Sequence, residues 1–190
     1  VAYIKKHGPN TCVLQETHFK YGTSRLKVKG GERYIKQTLI KGKKGLAILI
    51  LDETNLRAKK ITRDKEGHFI MKIINVFQQE DTAILTLNAP NNKAVKCVMQ
   101  KLTELKEEIE VSTILAGDFN SLLSTVGRTT RQKISGNIEE FNHITNQQGL
   151  IYMCRTLHPM TAVYTFFPRD HGAYTRIDHI FGHKKKLNKF

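Results

Sequence analysis

The longest clean apolar run in the chain, Leu46–Leu51 (LAILIL), is short. A run of that length fills one strand buried on both faces and falls far short of the roughly 20 apolar residues a helix needs to cross a bilayer. The other strand candidates are equally brief: Thr11–Gln15 (TCVLQ), His68–Phe77 (HFIMKIINVF), Thr82–Leu87 (TAILTL), Tyr164–Phe167 and Arg176–Phe181. The apolar part of Ser112–Leu123 (STILAGDFNSLL), closed by Gly117, also reads as a buried strand, although its length leaves a helix segment open. Helical spacing runs from Lys93 to Ile109, where Val95, Val98, Met99, Leu102, Leu105 and Ile109 share a face, and a second helix is expected over Asn137–Gln148, stopped by Gly149. Val1–His7 reads as the last turns of a helix ended by Gly8-Pro9-Asn10. Strands in meander-like groups with few helices between them predict packed sheets flanked by helices, not a strictly alternating βαβ fold.

At 190 residues the chain is the size of one domain with a sizeable core. No secretion signal is expected at the amino terminus, and Cys12, Cys97 and Cys154 form neither a CxxC clip nor a disulfide framework. An intracellular protein, nuclear or cytoplasmic and not held in a membrane, is the expectation. Charge says more. Thirty-one Lys and Arg against 17 Asp and Glu give +14 with His neutral. Each basic cluster, KGKK, RAKK, TRDK, TRQK or HKKK, reads as solvated surface by itself, but the total favours a polyanionic partner such as nucleic acid.

Polar groups stand where the apolar runs end: Glu16 after TCVLQ, Asn88 after TAILTL, Asp118 and Asn120 after STILAG, and Asp178 with His179 inside TRIDHIF. If Asp118 to Asn120 stay extended, their side chains point the same way; the alternative is an Asx turn or a helix cap. Carboxylates and amides gathered at strand ends suit a hard, oxygen-ligated cation such as magnesium, which shares a substrate's phosphate and polarises it. A carboxylate near a water could orient it and take its proton. His18, His68, His158 and His171 form no metal-ligand pattern.

QETH (Gln15–His18), GDFN (Gly117–Asn120), YTFF (Tyr164–Phe167) and RIDHIFG (Arg176–Gly182) occur in the order and rough spacing of the endonuclease/exonuclease/phosphatase superfamily. TRDKEGHFIM, TRQK and RTLHP narrow the resemblance to the endonuclease domain of a long interspersed nuclear element, a non-LTR retrotransposon. The likeness covers essentially the whole chain. It implies a four-layer α/β sandwich of the DNase I-like kind: two packed, mostly antiparallel sheets flanked by helices, in one domain over residues 1–190. It also implies nicking of DNA with magnesium, or manganese in its place, no small-molecule cofactor, and a reverse transcriptase downstream in the parent chain. Position by position, Glu16 matches the metal-ligand glutamate, Asp118 the aspartate that handles the attacking water, Asn120 the amide that holds the scissile phosphate, and Asp178 the aspartate of the RIDH strand. Thr165 matches the threonine at the base of a DNA-probing hairpin, which puts Arg169, His171 and Tyr174 in that hairpin, while Arg128 and Arg131 match basic residues that touch phosphate.

The sequence also departs from the family. Its first strand, with an asparagine, and its last, with Ser-Asp-His, are expected to be missing, so the domain reads as incomplete at both ends. Asn88 stands where a tyrosine is usual, and Tyr152 where an aspartate precedes the strand of Arg155. The expectation is therefore a nuclease weakened or inactive in this chain. The competing readings are a nucleic-acid-binding relic without turnover, a translated relic with no function, and a phosphodiesterase of phosphoinositides or sphingomyelin.

Overall fold

The computed structural model describes residues 11–17, 45–50, 57–63, 69–75, 81–90, 93–109, 112–121, 123, 136–158, 161, 164–166 and 175–185. These belong to two compact units, divided between Thr86 and Leu87.

In the first unit, β1 (Thr11–Thr17) pairs antiparallel with β2 (Gly45–Ile50), with Cys12 opposite Leu49 and Leu14 opposite Ala47. Leu46, Ala47 and Ile48 are wholly buried, which is why this run shows no polar alternation. The pairing slips near the end of β1: three steps from Leu14 to Thr17 answer two from Ala47 to Gly45. One extra residue on one strand is a β-bulge, which bends the strand and re-aims its side chains. A second hairpin joins β3 (Arg57–Arg63) to β4 (Phe69–Asn75), with Ile61 opposite Lys72 and Arg63 opposite Ile70. β4 falls within the expected strand, but β3 lies in RAKKITR, which composition marks only as a basic cluster. β5 (Asp81–Asn88) contains the TAILTL run, buried from Ala83 to Leu87.

In the second unit, α1 (Ala94–Glu104) buries Ala94, Val98, Met99 and Leu102; of the face predicted from spacing, Val98, Met99 and Leu102 are buried and Val95 is half-buried. The helix is shorter than expected, because after Leu105 the chain tightens into a 3-10 turn over Lys106–Glu108. The expected second helix is present as α2 (Gly136–Gln147), which buries Phe141 and Thr145. Gly149 follows at φ 67, a left-handed conformation that suits glycine at a helix end, and donates its N–H to the Asn146 carbonyl at 3.0 Å.

The second unit's sheet settles what STILAG is. It forms β6 (Thr113–Asp118), which pairs antiparallel with β8 (Asp178–His183), and β8 pairs in turn with β7 (Leu150–Tyr152). Phe119, Phe141, Phe181 and Tyr152 gather over one face of these strands, with Phe119 stacked on Phe181 at 5.9 Å between ring centroids. Aromatic rings at such spacings carry much of a small core's apolar burial.

Three local expectations need correction. Arg155 lies in a short helix, α3 (Met153–Leu157), and not in a strand. Its neighbour Met153 is buried, with its sulfur against Gly182, so the chain must turn over β8 instead of running on beside it. The expected strand Tyr164–Phe167 reduces to a single antiparallel bridge, Phe166 with Thr175, among the described residues. Arg176 and Ile177 precede β8, which starts at Asp178. Among the described residues, no helix is long and apolar enough to cross a membrane.

Candidate active site

β6 leaves the core at Asp118, and the next three residues form a turn, not an extension of the strand. Asn120 has φ 44, in the left-handed region. Its backbone N–H donates to Asp118 Oδ1 at 2.8 Å, which closes an Asx turn. The conditional expectation that Asp118 and Asn120 point the same way from an extended strand is thereby overturned. The Asx bond is strong enough, and Asn tolerant enough of the left-handed region, to bend the chain at once. The turn and the polar cluster are one object.

Several further bonds fasten this turn. Ala89 N–H donates to the Asp118 carbonyl at 2.9 Å, and Phe119 N–H to the Ile177 carbonyl at 2.9 Å. Asn120 Nδ2 donates to the Ala89 carbonyl at 2.6 Å. That contact orients the amide, since a carbonyl can only accept. The Phe119 ring, 1% exposed, anchors the turn into the aromatic core. Gly117 leaves β6 passing so close to the Leu87 backbone that a Cβ there would drive into the Leu87 carbonyl oxygen.

Asp178 is the register partner of Asp118. Directly opposed residues of an antiparallel pair project to the same face with Cβ atoms about 5 Å apart, and like charges so placed repel unless a cation or donor lies near. Thr165 helps to hold the start of β8: its Oγ1 accepts from the N–H groups of Ile177 at 3.0 Å and Asp178 at 3.2 Å. The Thr165 hydroxyl thus serves the backbone carrying Asp178. Glu16 belongs to the first unit, where it is exposed at the bulged end of β1 with φ 52. Arg128, Arg131, Arg169, His171 and Tyr174 lie outside the described residues.

Two members of this neighbourhood have contacts to which the sequence assigned no role. His179, 3% exposed, has Nε2 2.8 Å from the Ser121 carbonyl oxygen. Burial, with the Arg176 charge adding to it, pushes its pKa down to about 4 against the opposing pull of that hydrogen bond. The ring is neutral at neutral pH. Tyr152 accepts a 3.0 Å hydrogen bond from Arg176 Nη1, and the guanidinium carbon sits 5.9 Å from the centre of the Tyr152 ring. Burial raises the Tyr152 pKa while Arg176 pulls it the other way, so the phenol stays protonated and offers its oxygen. The hydroxyl and ring together give the nearly buried Arg176 a partner where the family pattern has an aspartate. For His179 the signal was burial on an alternating strand, which periodicity hints at but cannot resolve into contacts; half-buried Tyr152 on the short β7 offered no such pattern.

The polar groups at the second unit's strand ends are hard oxygen: Asp118 and Asp178 are carboxylates and Asn120 an amide. Such groups fit a magnesium- or manganese-type cation in kind. Among the described residues, no three His, Cys, Asp or Glu side chains gather into a metal cluster.

This architecture has solved counterparts. The chain is similar in fold to the endonuclease domain of TRAS1, a telomere-specific non-LTR retrotransposon, at 15% identity and TM-score 0.68, covering 98% of this chain and 77% of that one. It is similar to a 3'-5' exonuclease (NExo) from Neisseria meningitidis at 19% identity and TM-score 0.69, covering 96% and 79%. It also resembles ANGEL2, a 2',3'-cyclic phosphatase, at 13% identity and TM-score 0.58, covering 95% and 71%. These likenesses give the fold class: a mixed α/β fold of the DNase I-like kind, with sheets flanked by helices, as the sequence predicts. The sequence profile of one family spans nearly every residue, 1–189: the chain belongs to the Endonuclease/Exonuclease/phosphatase family.

Proposed function

We propose that this chain is a divalent-metal-dependent DNA endonuclease of retrotransposon origin, acting as one domain. The observation that carries the reading is the fastened turn at Asp118–Ser121 with Asp178 in register beside it. Asp118 spends one oxygen partly on the Asn120 N–H, and a carboxylate has about four lone-pair sites, so it retains capacity to accept a proton from water. That water's oxygen forms the new bond to phosphorus while one P–O ester bond breaks in line and the leaving oxygen takes up a proton. The Asn120 amide, oriented by Ala89, keeps a second N–H to donate to a phosphate oxygen. Glu16, the counterpart of the family's metal-ligand glutamate, is proposed to hold the cation, which when bound supplies polarisation of the phosphoryl oxygen. Arg128, Arg131, Arg169, His171 and Tyr174 are proposed to grip the duplex, aided by the +14 charge. Asn88, in place of the family's tyrosine, is the reason to expect slow turnover.

Nicking of supercoiled plasmid tests this with magnesium, with EDTA and with Asp118→Ala. Magnesium-dependent nicking that the substitution abolishes supports the reading; an intact plasmid with folded protein removes it. The +14 charge favours one second reading, DNA binding without cleavage. Binding that survives Asp118→Ala and weakens steeply with salt, without nicking, would establish it instead.

A further inference from the structure

β8 alternates cleanly. Asp178 and Ile180 are exposed, whereas His179 and Phe181 are buried. Successive strand side chains project to opposite faces, so His179 meets the Asp118–Ser121 turn from the side opposite the two carboxylates. The bonds made by Ala89, Phe119 and Asn120 fasten residues 118 to 120; the imidazole of His179 fastens the far end, at the Ser121 carbonyl. Because a carbonyl only accepts, the ring's proton must sit on Nε2.

That tautomer leaves Nδ1 a bare acceptor, and it is buried with no hydrogen-bond partner among the described residues. For packing alone this is a poor choice. The ring lies against Phe119 at 5.4 Å and Tyr152 at 5.3 Å between centroids, contacts that a phenylalanine would make without burying an orphaned polar atom. What phenylalanine cannot do is donate to Ser121.

We propose that His179 is a positioning residue: as a neutral Nε2–H donor beneath the turn, it holds the Ser121 carbonyl in place and so aims the Asp118 carboxylate and the Asn120 amide. Asn120 sits in the left-handed region, which Asn tolerates but does not prefer over ordinary backbone, so the bonds around the turn keep it there. Without the tether, the turn can relax toward ordinary backbone, and misplacement on the order of 1 Å costs about a hundredfold in rate. The catalytic part of this inference rests on the endonuclease reading; the tethering of the turn does not.

The test combines nicking kinetics with amide hydrogen exchange in wild type, His179→Gln, His179→Asn and His179→Phe. The Gln amide nitrogen can reach the place of Nε2, the Asn amide is too short, and Phe fills the space without a donor. Rescue by Gln is expected, within about fivefold of wild-type kcat, while Asn and Phe lose roughly a hundredfold in kcat with KM unchanged. Exchange at Phe119 and Asn120 should quicken at least about tenfold in the same two variants. Wild-type exchange and kcat in His179→Phe would overturn the proposal. Should that variant fail to fold, nitrogen-15 spectra of the wild-type imidazole decide: a proton on Nε2 coupled to the Ser121 carbonyl supports the tether, and a proton on Nδ1 overturns it. Faster exchange in a protein that never nicks would uphold the tether and remove the endonuclease reading, so the two failures stay distinct.

Discussion

β6 ends on a carboxylate and β1 carries one next to its last residue, and each handles the left-handed region differently. At β6 the positive φ falls on Asn120, and Asp118 beside it closes the turn with its own side chain. At β1 the positive φ falls on Glu16 itself, inside the bulged pairing with β2. Asn takes the left-handed region at little cost, because its short side chain bonds locally; a longer L side chain there costs about 1 kcal/mol or more. The first exit is held by bonds aimed at one geometry. The second carries its carboxylate on a strained backbone.

If the turn at β6 is where chemistry is aimed, the largest effect should come from Asp118→Asn. The new amide oxygen can still accept from the Asn120 N–H, so the fold should survive while nicking falls about 10² to 10⁴-fold, as for loss of a general base. Equal losses of activity and thermal stability would instead make Asp118 a turn-former only. Gly117→Ala attacks the approach to the turn, since the new methyl meets the Leu87 carbonyl and the backbone must move. A loss of about 3 kcal/mol is expected from urea denaturation, at the upper end for overpacking.

His179 sharpens the comparison through pH. Its folded pKa of about 4 lies below the ordinary 6.5, so the unfolded chain takes up the proton first as pH falls. The stability it contributes is present above about pH 6.5, is lost between 6.5 and 4, and levels off below. At about 1.4 kcal/mol per pKa unit the full loss is about 3 to 4 kcal/mol. Urea midpoints of wild type and His179→Gln, followed from pH 7 to 4, should show that slope in the wild type alone. The smallest effect belongs to β1. Glu16→Gly removes the side chain from a positive φ and should add about 0.5–1 kcal/mol of stability while weakening metal-dependent activity. A destabilised Glu16→Gly variant would mean that the Glu16 side chain supports the fold there.

Much of this was legible in the residues. Short apolar runs placed β1, β2, β4, β5 and β6 to within a few residues, the spacing of Val98, Met99 and Leu102 gave the buried face of α1, and GDFN with RIDH marked the two strands that meet. β3 was not legible, because RAKKITR carries no alternating apolar pattern; pairing with FIMKIIN makes it a strand. Nor was α3, since MCRTL reads equally well as strand or helix until Met153 is seen against Gly182. Tyr152 stood out in the sequence only as a departure where an aspartate is usual, yet its hydroxyl and ring give Arg176 a partner.

The residues alone determined which side chains would be available at the strand ends, and hence the hard-oxygen chemistry, because local apolar runs and the polar groups that close them are properties of neighbouring positions. The register that sets Asp118 opposite Asp178, the bend that turns Asn120 back onto Ala89 and the imidazole beneath Ser121 were decided only by tertiary structure. Each of these joins groups distant in sequence, and a bond between distant groups has no periodicity for a sequence to display.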